Sequence, residues 1–217
     1  MDGRTVRRRG NPFDKRLFDL AVGIPALILS LPIQALVAIA VAVRLGRPVL
    51  FTQTRPGLHG EPFRMRKFRS MRPVNEARGW TDDASRMTTF GAKLRSTSLD
   101  ELPALWNIVR GDMSLVGPRP LLTKYLPLYS PNQARRHHVK PGLTGLAQVS
   151  GRNAVTWDRR LGLDVEYVDT WTLRGDVKIL RDTVAAVLNR DGITADGEVS
   201  MPEFTGAAAP SHDEESH

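Results

Sequence analysis

The sequence contains no cysteine, which excludes disulfide bonds, thiol nucleophiles and cysteine-ligated zinc sites. Histidine is scarce as well, and the five histidines of the 217-residue chain do not show the spacing of metal ligands. Acidic residues are outnumbered, with 23 Asp and Glu against 31 Lys and Arg, which gives a formal net charge of +8. A chain this basic is expected to bind nucleic acid, acidic lipid head groups or phosphorylated substrates, and charge alone does not distinguish these partners.

One long apolar run occupies residues 20–43, after a polar and basic segment at residues 1–19. About 20 apolar residues are enough to span a bilayer as one helix. Pro32 removes the hydrogen bond to the carbonyl of Ile28, however, so we expect a break there, with the hydroxyl of Ser30 helping to satisfy the freed backbone. Basic residues flank both ends, which favours a cytoplasmic location for both. The residues alone leave a re-entrant, bent helix and a spanning helix as alternatives.

Residues 48–72 predict a β-hairpin, whose two strands flank a turn at residues 56–60. Apolar and basic residues are interleaved along its second strand. Such a hairpin either has a solvated basic face or forms a lipid-binding surface, on which apolar side chains meet acyl chains and basic ones meet phosphates. The residues concerned are Phe63, Met65 and Phe68, and Arg64, Arg66 and Arg69.

The C-terminal half shows two helical periods and two irregular regions. Apolar residues recur at helical spacing over residues 157–171 and 177–188, which predicts two core helices. The Gly-rich loop at residues 140–152 permits a close approach of its backbone to a ligand or a membrane. From about residue 194 the chain is rich in Gly, Ala, Pro and acidic residues without periodicity, so we expect a largely disordered tail.

Asp100 and Glu101 stand side by side in the middle of the chain, near the start of a predicted short helix. Its apolar stripe consists of Leu102, Leu105, Trp106 and Val109, and Gly111 ends it. One explanation of the pair is structural, since Ser98 and Glu101 have the spacing of a capping box. A helix that begins at Pro103 instead leaves both carboxylates on the preceding turn. Adjacent carboxylates point in different directions, so one can attack an electrophile while the other holds a metal or a proton.

Four spaced motifs are Leu-Asp-Glu-Leu-Pro at residues 99–103, Gly-Asp-Met-Ser-Leu-Val-Gly-Pro-Arg-Pro at 111–120, Lys-Phe-Arg-Ser-Met at 67–71 and Lys-Pro-Gly-Leu-Thr-Gly-Leu-Ala-Gln-Val at 140–149. Together they resemble the bacterial sugar transferase family, the monotopic polyprenyl-phosphate hexose-1-phosphate transferases. The similarity extends from about residue 15 to residue 189. Residues 118–120 are called the Pro-Arg-Pro loop below.

The resemblance implies roles for particular residues by motif position. It makes Asp100 and Glu101 the catalytic pair and the ligands of Mg²⁺, and it makes Arg95, Arg119, Lys67 and Arg69 the phosphate-binding or substrate-binding residues. The re-entrant helix of the family also breaks at a proline that matches Pro32.

The implied activity is transfer of a sugar phosphate from a UDP-sugar to undecaprenyl phosphate, with UMP as the second product, as the first membrane step of surface glycan assembly. An Asp carboxylate would attack the β-phosphorus, and the lipid phosphate would then attack the phosphosugar-enzyme intermediate. The expected location is the bacterial inner membrane, with a monotopic chain and the active site on the cytoplasmic face. The expected partners are the UDP-sugar, undecaprenyl phosphate and anionic membrane lipids, without nucleic acid, and a homodimer is left open.

The expected fold is α+β and mainly helical, with an N-terminal re-entrant membrane helix, a small β-hairpin and amphipathic interfacial helices. A membrane-associated catalytic domain is expected at residues 44–193, followed by the tail at 194–217. A non-catalytic membrane adaptor that binds acidic lipid or nucleic acid is the alternative from a different class. That alternative leaves the Asp-Glu pair and the Pro-Arg-Pro loop without a role.

Overall fold

The computed structural model describes residues 11–150, 156–188 and 203–206. These residues form a mainly helical α+β fold with two small two-stranded sheets. The helices are α1 (Pro12–Leu45), α2 (Asp83–Arg86), α3 (Thr89–Ser96), α4 (Ala104–Arg110), α5 (Pro131–Ala134), α6 (Leu146–Val149), α7 (Trp157–Thr170) and α8 (Leu173–Leu188). The strands are β1 (Leu50–Pro56), β2 (Pro62–Phe68), β3 (Ser114–Val116) and β4 (Gly142–Thr144). Helices α7 and α8 confirm the two predicted helical periods.

Helix α1 is the one helix among the described residues that is long and apolar enough to cross a membrane. The break predicted at Pro32 does not interrupt it, because helical structure continues through this residue. The hydroxyl of Ser30 donates to the carbonyl of Leu27 at 2.9 Å and accepts from Gln34 at 2.9 Å. Ser30 therefore does not donate a hydrogen bond to the carbonyl of Ile28. That carbonyl has no partner in the helix, because Pro32 lacks the N–H that would donate to it. The re-entrant path of this helix stays a prediction at this point.

Buried charged side chains hold the N-terminal turns of α1. Lys15 Nζ donates to Asp176 Oδ2 of α8 at 2.6 Å, and both groups are shielded from solvent. Asp19 Oδ1 accepts from the hydroxyl of Ser114 at 2.9 Å and from the N–H of Leu115 at 3.0 Å. Because an unpaired buried charge is costly, these contacts specify where the start of the helix lies.

The C-terminal part of α1 packs on the same folded unit. Val37 and Val41 are buried together with Phe68 of β2 and Leu94 of α3. Between the two contact regions the helix exposes large apolar side chains, namely Ile24, Ile28, Leu29, Leu31, Ile33 and Leu36. The helix thus contacts protein along one side, where Ala26 and Leu27 at its middle also pack against the core, and presents an apolar surface on the other side.

Strands β1 and β2 form the predicted hairpin, in an antiparallel register that begins with Leu50 opposite Phe68. Helix α4 packs against the open edge of β2 through Asn107. The Asn107 amide donates to the carbonyl of Arg64 at 2.8 Å and accepts from the N–H of Arg66 at 3.2 Å. A helix side chain therefore satisfies backbone groups that an edge strand would otherwise leave unpaired.

Helix α4 begins after Pro103 and ends at Gly111, whose φ of +100° is the left-handed conformation expected of a helix-ending glycine. Protein covers only part of the predicted apolar stripe, since Leu105 is buried and Trp106 is not. Ile108 is fully buried, whereas Trp106 is 47% exposed. The reason is geometric, because two residues along a helix place Trp106 about 160° around the axis from Ile108, away from α1.

A second sheet, which the sequence patterns did not predict, pairs β3 with β4 in parallel. This pairing explains why the loop at residues 140–152 contains glycine at the positions that approach β3. A Cβ atom at Gly142 or Gly145 would lie 2.1 Å or 2.2 Å from backbone atoms of Gly117. The close approach predicted for this loop is therefore made by two segments of the chain itself.

Most of the predicted disordered tail lies outside the described residues, but residues 203–206 belong to the fold. Phe204 is buried, and its ring centroid lies 5.3 Å from that of Trp157 and 5.7 Å from those of Tyr125 and Tyr129. Disorder is thus the wrong expectation for this short segment, because one aromatic side chain supplies enough apolar surface to dock it.

Replacing Phe204 with Ala should lower the free energy of unfolding by about 3 kcal/mol, since truncation of a buried Phe loses apolar burial and leaves a cavity. Denaturant unfolding of the detergent-solubilised protein measures the change. A chain ended after Gly206 keeps the docked segment and serves as the control, with stability equal to that of the full chain. If Phe204→Ala were as stable as the control, the segment would not be docked in solution.

Candidate active site

Asp100 and Glu101 lie in a single turn of 3₁₀ helix, Leu99–Glu101, between α3 and α4. Ser98 precedes this turn in the left-handed conformation, with φ of +55°, and its side chain makes no capping hydrogen bond. The capping-box explanation is therefore wrong. The two carboxylates stand on the turn before α4, as the alternative start after Pro103 predicted.

Two cations from distant parts of the chain hold Glu101. Its Oε1 accepts from Lys67 Nζ of β2 at 2.5 Å and from the guanidinium of Arg119 at 2.8 Å. Burial alone would raise the pKa of Glu101, but the charges of Arg119 and Lys67 outweigh it and lower that pKa to about 2. Glu101 is therefore a permanent anion whose position is set by two ion pairs.

Asp100 has a different environment from its neighbour. It is 6% exposed, and its carboxylate accepts no hydrogen bond from the residues that the structure describes. Burial, followed by repulsion from Glu101, raises the pKa of Asp100 to about 6, against the attraction of Lys67, Arg95 and Arg119. Asp100 is thus desolvated yet mostly ionised at pH 7, which makes it more basic than an ordinary Asp carboxylate.

Arg119 projects from the Pro-Arg-Pro loop, which follows β3. Arg136 donates to the carbonyl of Arg119 at 2.6 Å, and the N–H of Gly142 donates to the carbonyl of Pro118 at 3.0 Å. Arg136 is itself buried and paired with Asp164 of α7 at 2.7 Å. A buried ion pair and a backbone hydrogen bond therefore fix the loop that carries Arg119.

The other two predicted phosphate-binding arginines differ in placement. Arg95 acts electrostatically on Asp100, and its Nε donates to the hydroxyl of Ser70 at 3.0 Å. The guanidinium of Arg69 instead donates to backbone carbonyls at the C-terminal end of α1. The structure thus assembles three of the four predicted cations around the acidic pair and places the fourth at a helix end. Phosphate binding by these residues stays a prediction.

Arg55 of β1 is a cation near the pair that sequence reasoning missed as a site residue. Burial, followed by the charge of Arg119, lowers the pKa of Arg55 to about 10. Strand alternation is the signal that could have found it. Arg55 lies opposite Phe63 in the hairpin, and Phe63 and Lys67 lie on one face of β2, so Arg55 and Lys67 share that face.

The described residues contain no group of three or more His, Asp or Glu side chains that could hold a metal ion. Mg²⁺ needs fewer protein ligands when it binds with a substrate, because it takes one or two carboxylates together with phosphate oxygens and water. The carboxylate of Asp100 fits this requirement, since it accepts no hydrogen bond from the described residues. Glu101 offers less, because one of its oxygens already accepts from two cations. Magnesium binding stays a prediction.

Comparison with known proteins matches residues 10–190 to the family described as bacterial sugar transferase. An uncharacterised sugar transferase of Bacillus subtilis, EpsL, is 49% identical over 194 residues, which cover 89% of this chain and 96% of that protein. The undecaprenyl-phosphate galactose phosphotransferase of Salmonella typhimurium is 41% identical over 206 residues, with 86% and 43% covered. The UDP-glucose:undecaprenyl-phosphate glucose-1-phosphate transferase of Caulobacter vibrioides is 41% identical over 191 residues, with 82% and 70% covered.

The two carboxylates should respond to neutralisation with opposite signs. Folding raises the pKa of Asp100 from 3.8 to about 6, so its ionisation destabilises the fold above pH 6, and Asp100→Asn should raise the free energy of unfolding at pH 7.5 by up to about 3 kcal/mol. Glu101→Gln should lower it by about 2 kcal/mol, because Lys67 and Arg119 then lose their anion.

Denaturant unfolding of both variants at pH 7.5 and pH 4 measures these changes. The gain from Asp100→Asn should shrink as the pH falls from 6 to 4, where the folded protein carries a protonated Asp100. The contribution of Glu101 is still largely present at pH 4, since folding lowers its pKa from 4.5 to about 2. Loss of stability in both variants at pH 7.5 would contradict the assigned environments.

Proposed function

The chain belongs to the bacterial sugar transferase family, and on this premise we propose that it is a phosphoglycosyl transferase that moves a sugar-1-phosphate from a UDP-sugar to undecaprenyl phosphate. The Salmonella and Caulobacter relatives support this reaction, since both are named as transferases that act on undecaprenyl phosphate. The proposed products are undecaprenyl-diphosphate-sugar and UMP. This is the first membrane step in assembling a surface glycan.

The proposal rests on the different environments of two adjacent carboxylates, which shift their pKa values in opposite directions. Glu101 is fixed as an anion by two cations, while Asp100 is buried with a pKa of about 6. Neighbouring acids whose environments push their pKa values apart are suited to different roles. We therefore assign Asp100 as the nucleophile and Glu101 as the residue that positions Lys67 and Arg119 toward the substrate phosphates.

In the first half-reaction, a carboxylate oxygen of Asp100 attacks the β-phosphorus of the UDP-sugar. A P–O bond to Asp100 forms while the bond from this phosphorus to the bridging oxygen breaks, and UMP leaves with the electron pair. Lys67, Arg95 and Arg119 place positive charge where the phosphate oxygens gain negative charge. When bound, Mg²⁺ would neutralise further pyrophosphate charge, with Asp100 and Glu101 as its proposed protein ligands.

In the second half-reaction, a phosphate oxygen of the lipid attacks the same phosphorus. The acyl phosphate bond to Asp100 breaks, which restores the carboxylate and releases undecaprenyl-diphosphate-sugar. Neither nucleophile has to lose a proton, because a lipid phosphate and a carboxylate with a pKa of about 6 are mostly ionised at pH 7. Glu101 is therefore not needed as a general base.

We further propose that α1 enters and leaves the membrane on the cytoplasmic face of the bacterial inner membrane. A straight helix of 34 residues would extend about 50 Å. Lys15 and Asp19 near one end and Val41 near the other nevertheless pack on the same folded unit. The apolar side chains exposed between them suit acyl chains. These contacts support a re-entrant path more than a spanning one.

Single cysteines that replace Asp14 and Arg47 should both react with a membrane-impermeant thiol reagent only from the cytoplasmic side. Both positions are exposed and lie at opposite ends of α1, and the chain has no cysteine of its own to interfere. Labelling in intact cells and in inverted vesicles makes the measurement, with the unchanged protein as the background control. Reaction of the two positions from opposite sides would establish a spanning helix.

Without lipid acceptor, the protein should release UMP from its UDP-sugar in an amount equal to that of enzyme and retain a hexose phosphate on Asp100. Screening UDP-sugars identifies the donor, and mass spectrometry of peptides locates the adduct. Asp100→Asn should abolish both signals, whereas Asp158→Asn, an equal change at an exposed carboxylate of α7, should leave both intact. UMP that appears only after lipid is added, without a labelled Asp100 peptide, would indicate direct transfer in a ternary complex.

A further inference from the structure

Arg55 lies near the end of β1, and its guanidinium extends to the Pro-Arg-Pro loop. One terminal nitrogen donates to the carbonyl of Pro120 at 3.3 Å, and the other donates to Oε1 of Gln53 at 2.6 Å. The third nitrogen, Nε, is shielded from solvent and has no hydrogen-bond partner in the described part of the chain. A buried N–H without an acceptor costs free energy, so a ligand that supplies an acceptor to this atom would bind favourably.

Arg55 also has no ion pair with an acidic side chain among the described residues. Glu101 pairs with Lys67 and Arg119 instead. Arg55 and Arg119 lie close enough that, after burial, the charge of Arg119 is the main cause of the lowered pKa of Arg55. Positive charges that interact in this way repel each other, and an anion bound near both would relieve the repulsion.

The hairpin directs Arg55 toward the same place as the other cations. Arg55 and Lys67 share one face of the hairpin, and Lys67 on that face contacts Glu101. Together with Arg119, they place three positive charges around one fixed carboxylate. The surplus charge therefore belongs to a site that is incomplete without an anionic ligand.

We propose that Arg55, together with Arg119, binds a phosphate group of the substrates and is a further substrate-binding residue of this site. The chemistry of the ligand rests on the proposed function, which offers the pyrophosphate of the UDP-sugar and the phosphate of the lipid. A guanidinium suits either group, because its planar N–H donors pair with two phosphate oxygens at once. The unpartnered Nε–H and the remaining N–H of a terminal nitrogen are the donors for this paired contact.

Variants Arg55→Gln and Arg55→Lys test the proposal when the two half-reactions are measured separately. If Arg55 binds the donor, the UDP-sugar concentration that half-saturates UMP release without lipid should rise about tenfold in Arg55→Gln. If it binds the acceptor, that value is unchanged and the KM for undecaprenyl phosphate rises by the same factor. Arg55→Lys should recover part of the loss, since it restores the charge without the paired donors.

Arg174→Gln is the matched control, because Arg174 is an exposed arginine of α8 without a described side-chain contact, and it should behave as wild type in both half-reactions. Unchanged half-saturation of both half-reactions in Arg55→Gln would overturn the proposal. A fall in kcat together with Tm, without a change in either KM, would also overturn it. That second result would make Arg55 a structural support of the Pro120 carbonyl.

Binding of inorganic pyrophosphate separates this proposal from the proposed function. Pyrophosphate should raise the Tm of the wild type and of Arg55→Lys, and raise that of Arg55→Gln much less. If the wild type releases UMP from no UDP-sugar but pyrophosphate still distinguishes these variants, the proposed function fails and the anion site at Arg55 stands. Equal stabilisation of wild type and Arg55→Gln by pyrophosphate would show that Arg55 does not bind the anion.

If Arg55→Gln does not fold, wild type and Arg55→Lys are compared in the two half-reactions instead. Equal KM values for these two proteins would refute the paired contact.

Discussion

The ion pairs from Lys67 and Arg119 to Glu101 are the interaction on which the rest of the site depends. They join the hairpin, the turn before α4 and the Pro-Arg-Pro loop at one carboxylate oxygen. Adjacent side chains of a tight helical turn point in different directions. Because Glu101 points toward Lys67 and Arg119, the carboxylate of Asp100 points in another direction. The burial of Asp100 and its raised pKa follow from that division.

Buried ionic contacts farther from the site keep these elements in position. Arg136 joins the Pro-Arg-Pro loop to α7 through Asp164, and Lys15 joins α1 to α8 through Asp176. Buried ion pairs add little net stability, because the cost of removing charges from water offsets their attraction. They do discriminate against other arrangements, since any shift would leave a buried charge unpaired. In this fold they chiefly fix the positions of the site's elements. Transfer of a phosphoryl group requires such fixed positions of the reacting groups.

Features that depend on residues close in sequence were predictable. The hairpin follows from alternation around a turn, α7 and α8 follow from helical periods, and the end of α4 follows from Gly111. Features that depend on what packs against an element were not. Periodicity grouped Trp106 with Leu105 on one apolar stripe, although the neighbours of α4 cover only part of that stripe. Composition predicted disorder around Phe204, although Tyr125, Tyr129 and Trp157 form an aromatic cluster that buries its ring.

By itself, the sequence determined the apolar N-terminal run, the adjacent carboxylates and the spaced motifs that identify the family, because each of these is a matter of residue type and spacing. The tertiary structure decided which cations serve the acidic pair. The partners of Glu101 lie 34 and 18 residues away along the chain. It also placed Arg69 at a helix end and brought Arg55 to the site. The physical reason is that burial and Coulomb interactions depend on distances through space, which residue spacing along the chain does not contain.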